Sequence, residues 1–359
     1  MTNQSTRAGR VKVSGHARQH PTIKDVAERA QVSPATVSSV LRANKNVSDI
    51  SRQKVLEAIE ALGYRPNRLA QALRTQRSRT VGLIIPDITN PFYADIAQGA
   101  TDQARESGYG LFLMTACESE TALRQAAEEL VQRQVDGLLL TSVGLDYAIT
   151  PWQLDKVPYV LVNRYAKTAV ADYVGIDNRS GAQEVVRFLH GLGHRRIAFI
   201  GGLPHSSASR DRLEGFYAAM QELDLTLSPL HIGFADLQYD KAMKLVQSML
   251  QTEPRPSAVF AADDMMALGA WEGAQSVGVR VPQDLSIVGF DGIWSTAWAG
   301  IQLSTVVQPR YELGRLAVSL LHERIQGLTS PARVRLLPYQ FMARRTTAAA
   351  PIDSVRSIN

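Results

Sequence analysis

The twenty residues Thr22-Ile-Lys-Asp-Val-Ala-Glu-Arg-Ala-Gln-Val-Ser-Pro-Ala-Thr-Val-Ser-Ser-Val-Leu41 decide how the head of this chain folds. Thr22 to Asp25 has the Thr-x-x-Asp arrangement of a helix start, in which side chains satisfy backbone donors that the first turn leaves open. Ile23, Val26, Ala27 and Ala30 then share one helical face. Gln31-Val32 supplies a turn, Ser33 is a natural N-cap, and Pro34 suits the first helical position. Ala35 to Leu41 continue the second helix, with Val37, Val40 and Leu41 inward. Two helices of about eight residues joined by about three match a helix-turn-helix, whose second helix enters the major groove. The outward residues Ala35, Thr36, Ser38, Ser39 and Arg42 are small or polar, as close approach to base edges requires. An ordinary helical hairpin remains the alternative for this segment alone.

Working outward, a third helix follows Ser48, with Val55, Ile59 and Leu62 inward, and stops at Gly63. Residues 1–20 lack periodicity and read as a flexible basic arm. Arg68 to Arg74 is a helical segment too short to hold alone, so its order must come from a partner. Charge singles out the same region. Residues 1–79 hold 15 Lys and Arg against 5 Asp and Glu, a balance of +10; residues 80–359 hold 24 against 29, a balance of −5. The cationic excess points to phosphate contact for the head and a different task for the rest; a solubilising basic tail is the competing explanation.

The remainder, within a 359-residue chain, alternates short apolar strands with longer helices. Strands are predicted at Val81 to Ile85, Leu111 to Met114, Leu138 to Leu140, Tyr159 to Val162, Ile197 to Ile200, Val259 to Ala261 and Ile287 to Gly289. Helices are predicted near 93–107, 121–133, 180–191, 210–222, 239–250 and 265–276. This is an α/β pattern of parallel sheets flanked by helices, with too many strands for one ordinary sheet. No apolar run reaches the roughly 18 residues of a membrane span, and the first twenty residues lack an apolar signal core, so neither insertion nor export is expected. The single cysteine, Cys117, permits no internal disulfide and fits a reducing cytoplasm.

Catalysis is not expected. The sequence contains no phosphate-binding Gly-x-x-x-x-Gly-Lys run and no His-Glu-x-x-His helix, and Gly191-Leu-Gly193 lacks the third glycine of a dinucleotide fingerprint. His190 and His194 straddle a helix stop rather than sharing a face. Asp263-Asp264 has no evident nucleophile or base beside it. No metal and no cofactor is expected.

Several motifs stand in an order and spacing that resemble the lactose/galactose-repressor family of bacterial transcription regulators. They are Thr22 to Ala27, Val32 to Ser38, Leu62-Gly-Tyr-Arg-Pro-Asn67, Val81-Gly-Leu-Ile-Ile-Pro-Asp-Ile-Thr-Asn-Pro-Phe92, Asp136 to Leu140, Leu192 to Ile197, Arg212 to Phe216, Asp264 to Gly269 and Gly289-Phe-Asp291. The likeness covers about residues 21–345. It implies a helix-turn-helix domain at 21–65, a hinge helix and linker at 66–79, and a two-lobed body of periplasmic-binding-protein type at 80–347. The amino-terminal lobe would hold about 80–176 and 307–332, the carboxyl-terminal lobe about 177–306 and 333–347, with a flexible tail at 348–359.

The resemblance also assigns roles. DNA contacts fall to Thr22, Ser33, Pro34, Ala35, Thr36, Ser38, Ser39, Arg42, Asn44, Lys45, Asn67 and Leu73, the last as a wedge that kinks the minor groove. Ser39 departs from the arginine common there, and Asn44-Lys45 from the usual Asn-Gly. An effector, in the sugar or sugar-acid class, would lie between the lobes against Phe92, Tyr93, Thr141 and Arg164 on one wall and Arg212, Asp263 and Asp291 on the other. Asp263 replaces a common asparagine; it either changes the ligand chemistry or is neutralised by Arg212. The expected protein is a homodimeric repressor on a pseudo-palindromic duplex, released by its ligand, with Tyr311 to Gln326 packed on the amino-terminal lobe and adding to the dimer surface. A sugar-handling enzyme or a transporter's binding protein with a basic tail is the alternative.

Overall fold

The structure is a computed structural model that describes residues 21–41, 47–65, 77–141, 144, 157–167 and 169–351. The chain divides into two units, Met1–Gln76 and Arg77–Asn359. In the first, α1 (Ile23–Ala30), α2 (Pro34–Leu41) and α3 (Asp49–Leu62) close on a small core of Val26, Ala27, Ala30, Val37, Val40, Val55 and Ala58. The local devices are those the sequence announces. The Asp25 carboxylate accepts from the Thr22 N–H and hydroxyl at 2.7 and 2.8 Å. The Ser33 oxygen receives the Thr36 N–H at 3.1 Å. At the end of α3, Gly63 takes φ 58°, and the Tyr64 N–H reaches back to the Ile59 carbonyl at 3.0 Å. That left-handed residue closes the helix because it carries no Cβ.

The second unit contains two sheets. The first runs in the order β11 (Val334–Leu336), β5 (Asp172–Gly175), β4 (Tyr159–Val162), β3 (Gly137–Leu140), β1 (Thr80–Ile85) and β2 (Gly110–Thr115), all parallel. The second runs β12 (Gln340–Met342), β10 (Ser304–Val307), β9 (Ser286–Asp291), β8 (Ala258–Ala261), β6 (Ile197–Gly201) and β7 (Ile232–Phe234), parallel except for β12. Strands such as β6 and β8 are buried along their whole length, so both faces need apolar side chains and helices to cover them. On the first sheet, α4 (Pro91–Glu106) and α10 (Arg310–Ile325) cover one face and α5 (Glu120–Gln132) the other. On the second, α6 (Asn178–Gly191) pairs with α7 (Ser207–Glu222), and α8 (Tyr239–Met249) with α9 (Asp264–Ser276).

The approach of α4 to α10 depends on two glycines. A Cβ on Gly99 would overlap the Tyr311 carbonyl oxygen, and one on Gly314 would overlap that of Ile96. The helix expected at Tyr311 to Gln326 therefore does pack on the amino-terminal lobe.

Three sequence boundaries need correction. The chain crosses between lobes at 176–177, at 308–309 and at 337–339; the last was expected near 333, but Val334 to Leu336 pair with Tyr173 to Gly175 in the first sheet. Residues 77–79, placed in the linker, are fastened to the body, because the Ser78 and Arg79 N–H groups donate to the Asp136 carboxylate at 2.8 and 3.0 Å. The start of the tail is not loose either: the Ala350 N–H donates to the Leu192 carbonyl at 2.9 Å.

Ala348 also completes a buried histidine site. Its carbonyl lies 3.1 Å from His194 Nε2, and since a carbonyl only accepts, the proton sits on Nε2 and Nδ1 accepts from the Ser257 hydroxyl at 2.9 Å. Burial pushes the His194 pKa down to about 4, with the Ala348 carbonyl opposing. The folded state therefore holds neutral His194 while the unfolded chain takes up a proton below about 6.5. Stability from this group is complete above 6.5 and falls as pH drops toward 4, by roughly 1.4 kcal/mol per pH unit. Comparing urea midpoints of wild type and His194→Gln at pH 7.5 and 5.0 should show wild type losing about 2 kcal/mol more than the variant over that interval. Equal losses would contradict this account.

Candidate functional site

In the head, Ser33, Pro34 and Ala35 are exposed and Thr36, Ser38 and Ser39 half-buried, so the start of α2 presents short side chains to solvent. Thr22 is exposed at the start of α1. Ser33 and Thr36 hydroxyls lie 2.9 Å apart, which fixes their direction at the helix start. Arg42, Asn44, Lys45, Asn67 and Leu73 lie outside the described residues.

In the body, the second wall is built around Arg212. Its Nε donates to Asn178 Oδ1 at 2.8 Å, Nη1 donates to the Ala262 carbonyl, and Nη2 lies 3.0 Å from Asp291 Oδ1. The guanidinium also stacks 3.8 Å from the Phe290 ring centroid. Asp291, the last residue of β9, adopts φ 105°, a strained conformation for a non-glycine residue, and receives Gln308 Nε2 at 2.7 Å. Burial raises the Asp291 pKa, against the pull of Arg212 and Gln308.

Asp263 does not pair with Arg212. Its Oδ1 caps α9 by accepting the Met266 N–H at 2.7 Å, and burial, reinforced by Asp291, pushes its pKa up to about 7. Asp264 spends both oxygens internally, on the Thr305 hydroxyl at 2.6 Å and the Ile293 N–H at 2.8 Å.

On the first wall Arg164 is only 2 % exposed. It meets Glu118 through two contacts of 2.6 and 2.8 Å, and its Nη2 donates to the Tyr93 hydroxyl at 2.8 Å. Burial raises the Tyr93 pKa, so the phenol stays neutral and serves as an acceptor here. The two walls feel one another: Arg212 and Asp291 act on Tyr93, and Arg164 acts on Asp263. Two hydrogen bonds join the lobes directly, from the Tyr165 N–H to Ser207 Oγ at 2.8 Å and from the Tyr165 hydroxyl to Asp211 Oδ1 at 3.0 Å. Arg310 adds a tie at the crossover, pairing with Asp95 at 2.8 Å and donating to the Asp291 and Gly292 carbonyls.

The structure thus brings together Tyr93 with Arg164 and Arg212 with Asp291, and places Asp263 beside them. Phe92 and Thr141 are held by their own lobe. Phe92 belongs to the amino-terminal core, edge-on to Tyr93 with centroids 5.0 Å apart. The Thr141 hydroxyl, fully buried, is spent on the Ile84 carbonyl at 3.0 Å. Sequence reasoning missed Glu118, Asn178 and Gln308. Asn178 and Gln308 sit at lobe crossovers, a position that marks them once the strands are known. Glu118 follows Cys117, and both are left-handed non-glycine residues with no sequence signature.

Comparison with known proteins agrees on family and fold. Residues 22–67 match the family described as bacterial regulatory proteins, lacI family, and residues 186–347 match the periplasmic binding protein-like domain. Catabolite control protein A of Priestia megaterium is 36% identical, with 91% of this chain and 99% of that protein covered. A transcriptional regulator CelR–cellobiose complex has a TM-score of 0.70 at 33% identity, covering 91% of this chain and 99% of that one. The lac repressor dimer bound to operator and the anti-inducer ONPF has a TM-score of 0.83 at 28% identity, covering 92% and 99%. Head motif, two-lobed body and full-length likeness coincide, and the chain belongs to the lacI family of bacterial regulatory proteins.

Proposed function

We propose that this DNA-binding regulator is a cytoplasmic repressor whose hold on an operator is set by a small molecule of the sugar class seated between the lobes. The observation that carries the reading is the facing of Arg164–Glu118–Tyr93 and Arg212–Asp291 from opposite lobes, in a chain whose head carries a helix-turn-helix. Forked arginines and carboxylates fixed by burial match the directional donors and acceptors of a polyhydroxylated ligand. The likeness to a cellobiose complex and to an operator-bound repressor dimer supports both halves of the reading. Among the described residues no helix is long and apolar enough to cross a membrane.

Two copies pair, and the exposed Phe112 and Leu113 on edge strand β2 offer an apolar surface for doing so, with α4 beside them on the same lobe. Pairing sets two recognition helices on a pseudo-palindromic site about one helical turn or slightly more apart. Residues 66–76 act as the hinge, with Leu73 entering the minor groove. Ligand binding alters the relation of the lobes and releases DNA, which requires unequal affinity for the two arrangements. The test is selection from a randomised duplex pool with full-length protein. Wild type should enrich a two-fold symmetric site, and Ser39→Arg should shift enrichment toward guanine at one position per half-site, since arginine reads O6 and N7 together. Failure to enrich any site would overturn the repressor reading; an unchanged site with Ser39→Arg would remove Ser39 from the base-reading surface.

A further inference from the structure

The charges of the cleft do not balance. Arg164 gives its charge to Glu118, Arg212 to Asp291, and Arg310 to Asp95. Neither wall arginine is left over for an anionic ligand. Two buried carboxylates remain, and they differ. Asp264 is satisfied at both oxygens by Thr305 and Ile293. Asp263, 2 % exposed, has one aligned donor, the Met266 N–H on Oδ1, and among the described residues no cation in salt-bridge contact, Arg212 and Arg164 acting on it only from farther off. A buried carboxylate without a counter-charge is costly.

A second observation marks the same place as incomplete. Asn178 holds Arg212 through Oδ1, yet its Nδ2 has no partner among the described residues; Gln308 holds Asp291 through Nε2, yet its Oε1 has none among them. Asn163 Oδ1 and Arg164 Nε are likewise buried and, among the described residues, unpartnered on the opposite side. Four orphaned polar atoms next to the ion pairs are what a site awaiting a polar ligand leaves open.

We infer that the effector carries a protonated amine that meets the free oxygen of Asp263, as an amino sugar would, and that ligands bearing a carboxylate are excluded. This rests on the effector reading above and narrows it. An ammonium supplies up to three donors and the missing positive charge in one group. A sugar acid would add a further anion beside Asp263 and Asp291 with both nearby guanidinium groups already taken. The upward push that burial and Asp291 give the Asp263 carboxyl fits a site whose counter-charge arrives with the ligand.

The experiment is calorimetric titration of full-length protein with three matched series: glucose, glucosamine and glucuronate; galactose, galactosamine and galacturonate; mannose, mannosamine and mannuronate. The amino member of at least one series should bind at least tenfold tighter than its neutral counterpart, with the acid weakest. Asp263→Asn, which keeps the capping oxygen, should erase that preference and bring amino and neutral members within about threefold of each other, the loss of one charge-assisted contact. A neutral or acidic member binding as tightly as its amine in every series that binds overturns the inference, as does an amine preference that survives Asp263→Asn or silence in all three series. The duplex selection reads the repressor assignment independently, so failure here with a selected operator in hand removes only the amine, and failure there removes the larger reading.

Discussion

Arg212→Ala is expected to abolish the response to effector and to destabilise the body by about 3 to 5 kcal/mol, the cost of breaking a buried ion pair by removing one partner. The side chain serves four groups at once: Asn178, the Ala262 carbonyl, Asp291 and the face of Phe290. Truncation takes a donor from the Asn178 oxygen and the Ala262 carbonyl, leaves Asp291 with Gln308 but without its counter-charge, and opens a void where the guanidinium stood. Arg212→Lys is the informative companion. A lysine restores the charge beside Asp291 but not the fork that reaches three acceptors, so stability should recover in part while effector affinity stays low. Urea unfolding and calorimetric titration of both variants separate the two effects. Unaltered effector binding by Arg212→Ala would show that this wall is structural.

The second large effect lies outside the cleft. Asp172 is fully buried at the start of β5 and accepts from Arg324 at 2.7 and 3.0 Å, from Arg333 Nη2 at 2.8 Å and from the Arg333 N–H at 2.8 Å. Burial alone would raise its pKa, but the hydrogen bonds from Arg324 and Arg333 outweigh it and hold the carboxyl well below the usual range. Asp172→Ala should therefore cost about 3 kcal/mol, the lower end for a broken buried pair because Arg324 keeps carbonyl acceptors at Leu328, Ser330 and Pro331. It should also loosen β11, whose first residue follows Arg333, so amide exchange should rise at Val334 to Leu336 before it rises in β1 or β3. The sign with pH is fixed by the lowered value: this contribution is present above about 3.9 and is lost as pH falls below it. Exchange that rises uniformly across the first sheet would contradict a local clamp.

These two sites show where sequence reading succeeds and where it stops. Helix starts and stops in the head are written in single side chains, Thr22, Ser33, Ser48 and Gly63, because capping is local; the structure places α1, α2 and α3 within a residue or so of expectation. The buried middles of strands such as β1 and β9 are legible as apolar runs, Val81 to Ile85 and Ile287 to Phe290. Strand β5 is not, since Asp172 and Gly175 read as loop residues, and only Arg324 and Arg333, more than 150 positions away, make a buried aspartate tolerable there. The edge strands β7, β11 and β12 have three residues each, too few for any period to show.

The site divides in the same way. Arg212 and Asp291 were legible through their motifs, Arg212 to Phe216 and Gly289-Phe-Asp291, which carry the family resemblance. Phe92 and Tyr93 are adjacent, and the sequence does not say which of them meets Arg164; the structure aims the Tyr93 hydroxyl at it. Whether Asp263 answers to Arg212 was equally undecidable from sequence, because both Asp263 and Asp291 stand at strand ends within reach of that wall. Distances settle it: Arg212 pairs with Asp291, and Asp263 caps a helix.

The central claim is that occupancy between the lobes changes the grip of the head on DNA. Its most direct test is fluorescence anisotropy of full-length protein on the selected operator duplex, across a salt series, with and without the small molecule found by titration. The account predicts that the logarithm of affinity falls linearly with the logarithm of salt concentration, as phosphate contact requires, and that saturating ligand weakens binding by about 5- to 150-fold at fixed salt. Operator affinity that is the same with the lobes occupied and empty, or that ignores salt, would contradict it.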